Sequence, residues 1–123
     1  MATIKSYTDL EQSKKLAEIL PVESADMFYC KLDRSFEGIL DNWEIHLGNI
    51  PKYRSEIAEY VPCWSLAALL SILPQPHLER FDKGTWICSV FNKDNHFIDN
   101  ASKNDPVDAC YELILKLNEL KLL

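Results

Sequence analysis

Between Asp105 and Leu120, the apolar residues Val107, Cys110, Tyr111, Leu113, Ile114, Leu117 and Leu120 recur at the period of an α-helix. They cover about half of its circumference. A helix of this kind is held by burying its apolar side rather than by its own hydrogen bonds, so the rest of the chain has to supply a layer for it to cover. The start of the helix is well marked. Asn104 or Asp105 serves as cap, Pro106 occupies the first turn, and Asp108 adds negative charge near the positive end of the helix dipole. Glu112 and Lys116 form an i,i+4 pair on the outer side, worth about 0.2–0.5 kcal/mol.

The layer beneath is legible just upstream. Leu78 to Phe81, Thr85 to Phe91 and His96 to Asp99 are three short β runs. Asp82-Lys83-Gly84 and Asn92-Lys93-Asp94-Asn95 separate them, as in an antiparallel meander. The inward face should carry Trp86, Cys88 and Val90, or else Ile87 and Phe91. Before the meander lies the most apolar segment, Trp64 to Leu73, ended by Pro74 and again by Pro76. A helix apolar on nearly every side belongs at the centre of a fold.

The N-terminal half is less regular. Thr8 with Glu11 has capping-box spacing, and Leu10, Leu16, Ala17, Ile19 and Leu20 line one side of a helix from about Asp9 to Leu20, which Pro21 stops. Met27 to Leu32 reads as a strand. Phe36 to Leu40 and Trp43 to Leu47 bracket Asp41-Asn42, a pair suited to a hairpin turn. In the second arm, Trp43, Ile45 and Leu47 point one way and Glu44 and His46 the other, as in a half-buried strand. Tyr53 to Tyr60 is expected to form a short helix between Pro51 and Pro62. Leu-x-x-Ile-Leu-Pro occurs at both Leu16 to Pro21 and Leu69 to Pro74. The likeness ends at the proline, as expected of a shared helix exit rather than a duplicated domain.

These elements amount to one α+β domain over residues 1–123: an N-terminal helix, a buried central helix, an antiparallel meander and a C-terminal helix packed on the sheet. With 123 residues, 47% of them apolar and 26% charged, the chain has the size and composition of an ordinary globular domain. Its net charge of -6 and the absence of any concentrated basic patch argue against a nucleic-acid partner. The opening MATIKSYTDLEQ lacks an apolar core flanked by basic residues, and no stretch is long and apolar enough for a membrane span. A cytoplasmic protein with no membrane association is expected. The four cysteines, Cys30, Cys63, Cys88 and Cys110, are widely spaced in apolar segments, the pattern of buried reduced thiols rather than of zinc ligands or a disulfide framework.

Chemistry-bearing patterns are sparse. Pro62-Cys63-Trp64-Ser65 would place Cys63 in the first turn of the central helix, where the dipole lowers a thiol pKa. Its Cys-Trp-Ser resembles the nucleophile helix of papain-like cysteine proteases. That likeness implies Cys63 as nucleophile, His96 as base and Asp99 or Asn100 as the residue orienting it. The Gln and the Cys-Gly-Ser that precede that family's nucleophile are missing here. His46, His77 and His96 lie far apart, without the close spacing of metal-binding helices. Asp94-Asn95-His96 does not continue into a calcium loop, and no glycine loop cradles a phosphate. No cofactor or metal is expected.

Three segments together carry a resemblance: Ser13 to Pro21 with Ser24 to Met27, Pro62 to Pro74, and Asn104 to Ala109. In these the chain resembles small uncharacterised proteins of gut Bacteroides and of their phages and mobile elements. The resemblance implies a cytoplasmic protein derived from a mobile element, and it brings no catalytic residues with it. The meander followed by a helix opening on Asp-Pro-Val-Asp-Ala is also similar to antitoxins with a partly double-stranded-RNA-binding-like fold. The functional expectation is a non-enzymatic binding or accessory protein acting through a protein partner or as a homodimer. Tyr29, Trp43, Tyr53 and Tyr60 are its expected contact surface. The alternatives are a small cysteine-dependent hydrolase using Cys63 and an antitoxin-like regulator.

Overall fold

The computed structural model describes residues 4–32, 42–52, 58–82 and 84–123. Among these residues it contains three α-helices and two three-stranded antiparallel sheets, an α+β fold. The chain gathers into two compact units, one spanning Asp9–Trp64 and the other combining the N-terminal segment up to Thr8 with Ser65–Leu123.

In the first unit, helix α1 (Leu10–Ala17) buries Ser13 and Leu16. Its cap is Asp9 rather than Thr8. The Asp9 carboxylate accepts from Gln12 N–H at 2.8 Å and the Gln12 side chain accepts from Asp9 N–H at 3.1 Å, completing a capping box one residue later than Thr8 and Glu11 would have it. Strands β1 (Met27–Leu32), β2 (Glu44–Leu47) and β3 (Ala58–Cys63) form a sheet in the order β2-β1-β3. The helix expected from Tyr53 to Tyr60 is corrected where it is described: Ala58, Glu59 and Tyr60 are strand, paired with Leu32, Lys31 and Cys30. Pro62 does not prevent this, because β3 is an edge strand and an edge tolerates a residue that cannot donate. The first arm of the expected hairpin, Phe36 to Leu40, and Asp41 of its turn lie outside the described residues. Leu47 is 83% exposed, so the half-buried face of β2 does not extend to its last residue.

In the second unit, helix α2 (Leu66–Ile72) is capped by Ser65, whose hydroxyl accepts from Ala68 N–H at 3.1 Å. It buries Ala68 and Leu69 while Ala67 and Ser71 face solvent, so one side of it is buried rather than every side. Strands β4 (His77–Phe81), β5 (Thr85–Phe91) and β6 (Phe97–Lys103) pair in sequence order, as a meander should. Helix α3 (Pro106–Glu119) packs on β5, β6 and α2. It buries Val107, Cys110, Leu113, Ile114 and Leu117, while Tyr111 is half-buried and Leu120 is exposed. The outer-side Lys116 ammonium binds the Asn100 carbonyl of β6 at 2.9 Å.

The N-terminal segment holds the starts of both helices of this unit. Ser6 carbonyl accepts from Leu66 N–H at 3.0 Å, satisfying a donor that an α-helix leaves open in its first turn. Tyr7 bridges Ser65 in antiparallel fashion. Lys5 N–H donates to Asp105 Oδ2 at 2.7 Å and Lys5 Nζ to Asp108 Oδ1 at 2.9 Å. Asp105 Oδ1 meanwhile accepts from Val107 N–H at 2.9 Å and from Asp108 N–H at 3.3 Å. Asp105 is the residue that caps α3, and the same carboxylate anchors the segment that precedes α1 in sequence.

Candidate functional site

Strand alternation and register sort the meander into two faces. On one face Cys88 sits between Leu78 and Ala101, with Val90 two residues along β5. Cys88, Val90 and Ala101 are buried, and α3 covers them. This is the first of the two faces the sequence allowed. The other face carries His77, Glu79 and Phe81 from β4, then Thr85, Ile87, Ser89 and Phe91 from β5, then Phe97, Asn100 and Ser102 from β6. None of these residues is buried. Antiparallel sheets commonly keep one solvated face, but that face is ordinarily polar. Here it carries an aromatic line. The His77 and Phe91 rings meet edge-on at 4.8 Å between centroids, and Phe91 meets Phe97 at 6.0 Å. Phe97 is 57% exposed and Phe81 46%. Glu79 is the single Asp, Glu, Lys or Arg among the described residues of this face.

Of the four aromatics expected to form a contact surface, Tyr29 and Tyr60 do not share a face. Tyr29 lies opposite Ile45 and Val61, whereas Tyr60 lies opposite the neighbouring Cys30, so the two tyrosines project from opposite faces of the β2-β1-β3 sheet. Trp43 precedes β2, and its ring has the ammonium groups of Lys14 and Lys31 each 5.8 Å from its centroid. Such contacts are worth about 0.5–1 kcal/mol apiece at exposed sites and occupy the ring within its own unit. Tyr53 lies outside the described residues. Tyr60 approaches Phe28, whose ring stacks on His46 at 5.1 Å.

Cys63, His96 and Asp99 are likewise placed by separate elements. Cys63 ends β3, two residues before the Ser65 cap, and is not in the first turn of α2. The expected place of Cys63 in the helix's first turn is thereby corrected: the chain stays extended until the Ser65 hydroxyl turns it. Cys63 is fully buried. His96 and Asp99 belong to the other unit. His96 is exposed in the β5–β6 turn, where its N–H donates to the Asn92 side chain at 2.9 Å and its carbonyl accepts from Asn92 N–H at 2.9 Å. Asp99 accepts from Asn100 N–H at 2.7 Å. Among the described residues no group of three or more His, Cys, Asp or Glu side chains is arranged to hold a metal ion. In the folded protein Cys63 is expected to resist alkylation by iodoacetamide at neutral pH, while half-exposed Cys30 is modified first. Peptide mapping of the alkylated protein checks this, and modification of Cys63 as fast as in urea would contradict it.

Cys88 and Cys110 bring two thiols together. Their sulfurs are 3.7 Å apart, both fully buried, with the Cys110 thiol donating to Cys88. That hydrogen bond holds the Cys88 thiol below its ordinary pKa against the opposing effect of burial, and it keeps the proton on Cys110, whose pKa is raised. Desolvation, with the nearby Glu44 carboxylate, raises the Cys30 thiol.

No family model matches this chain, and no curated protein or solved structure matches it either. No helix among the described residues is long and apolar enough to cross a membrane.

Proposed function

We propose that the protein is a non-enzymatic, cytoplasmic binding or accessory protein that acts through a protein partner, and that the partner docks on the open face of the β4-β5-β6 meander. The aromatic line His77, Phe91 and Phe97 on an otherwise nearly uncharged, solvated sheet face supports this reading. Aromatic side chains supply much of the energy at protein contacts, and leaving them in water has a cost that a partner removes. Charge favours a partner other than a second copy. Each chain carries a net charge of -6, so two copies repel, whereas a protein with basic residues around an apolar patch is attracted.

The experiment is affinity capture from the native host with the wild-type chain and with Phe97→Asp. Phe97 is more than half exposed, so the substitution is expected to change stability by no more than about 0.5 kcal/mol. A charge placed at the centre of an apolar contact should reduce capture of the recurrent, basic partner at least tenfold. Equal capture by both proteins contradicts the proposal. So does a wild-type dimer that Phe97→Asp converts to monomer with no other protein retained, since the face would then serve self-association.

A further inference from the structure

We propose that Cys88 and Cys110 are a redox-responsive pair: oxidation by a hydroperoxide joins them in a disulfide that fastens the closing helix α3 to the central strand β5. Cys88 projects from the middle of β5 toward α3, and Cys110 lies on the buried side of α3. Their sulfurs are already 3.7 Å apart. A disulfide needs about 2.05 Å between sulfurs, so closure requires an approach of roughly 1.7 Å.

The chemistry balances with one equivalent of peroxide. The Cys88 sulfur, which accepts the Cys110 hydrogen bond, attacks a peroxide oxygen, the O–O bond breaks, and a sulfenic acid and one water form. The Cys110 sulfur then attacks the Cys88 sulfur, displacing the hydroxyl as a second water while its own proton is released to that leaving group. Two thiols and one hydrogen peroxide yield one disulfide and two waters, with two electrons passing from sulfur to oxygen. Cys30 is the most accessible of the four cysteines.

The test treats the full chain with hydrogen peroxide and reads intact mass, the peptide map and the melting temperature. The expected product has lost two hydrogens without gaining oxygen, and its digest links the Cys88 peptide to the Cys110 peptide. Because the new bond closes a loop between positions 22 residues apart, the melting temperature should rise by about 5–10 °C and return on treatment with a dithiol reductant. In Cys110→Ser the link is absent, and a sulfenic acid that dimedone traps should accumulate at Cys88. If that variant does not fold, the wild-type peptide map decides alone. Recovery of Cys88 and Cys110 as thiols while Cys30 is oxidised, or a linked product that melts lower than the reduced protein, overturns the proposal.

Discussion

Trp64→Ala is expected to lower the unfolding free energy by about 3–5 kcal/mol, enough to unfold much of a small protein's population at growth temperature. Trp64 heads the fully buried side chains by volume. Its indole N–H donates to the Ser24 hydroxyl at 3.0 Å, and that hydroxyl in turn donates to the Pro21 carbonyl at 2.6 Å. The alanine variant therefore loses the ring's transfer free energy, leaves a cavity, and releases the turn after Pro21 from its anchor. Trp64→Phe separates these effects. It retains most of the ring and removes the hydrogen bond, so a smaller loss of about 1–2 kcal/mol is expected. Urea denaturation followed by circular dichroism measures both. A loss below about 1 kcal/mol for Trp64→Ala would mean that the site collapses around the smaller side chain.

Asp105→Ala is expected to cost about 2–4 kcal/mol, more than the ~1 kcal/mol of an ordinary helix cap. The excess comes from the second oxygen. Oδ1 caps the helix through Val107 and Asp108 N–H, while Oδ2 accepts from Lys5 N–H at 2.7 Å, and the residue is nearly buried. Removing the carboxylate withdraws an acceptor from three backbone donors at once. Asp105→Asn keeps one oxygen for the cap but presents an amide NH2 to Lys5, a donor facing a donor. Its expected cost is about 1–2 kcal/mol, between wild type and alanine. Amide hydrogen exchange should show the difference locally, with Lys5 losing protection in both variants and Val107 only in the alanine. Equal stability of Asp105→Ala and wild type would mean that the N-terminal segment is not held through this carboxylate.

The extent to which the sequence revealed these features follows from the range of the interactions involved. Helix α3 was legible because its signals are local: a cap, a proline in the first turn and an apolar stripe all lie within one short segment. Strand β5 was legible through its alternation, which put Cys88 and Val90 on one face and Ile87 and Phe91 on the other. Strand β3 was not, because Pro51 and Pro62 read as brackets around a helix, and only pairing with β1 makes 58–63 extended. The cap of α1 was missed by one residue, since Thr8 and Asp9 are both capping types and Glu11 and Gln12 both suit the reciprocal position. The tie from Lys5 to Asp105 joins residues 100 apart and has no periodic signal at all.

Tyr29, Trp43, Tyr53 and Tyr60 suggest a contact surface in the sequence because aromatics are dense in an irregular stretch. The sheet register disperses Tyr29 and Tyr60 to opposite faces, and Trp43 is occupied by two lysines. The signal for the other surface was present in the meander. Once Cys88 and Val90 face the helix, Ile87 and Phe91 must face away, and only the register of β6 brings Phe97 beside Phe91. Cys110 belongs to the apolar side of α3 by its period, Cys88 to one of two possible inward faces of β5, and their proximity follows once the fold puts Cys88 beneath the helix.

The most direct test of the meander face as the site of partner binding is photo-cross-linking in the native host. A photoreactive phenylalanine analogue would replace Phe97 on that face, or Asn118 on the exposed side of α3. A recurrent cross-linked protein obtained from position 97 and not from position 118 is the expected result. The same products from both positions, or a recurrent partner from position 118 alone, would contradict it.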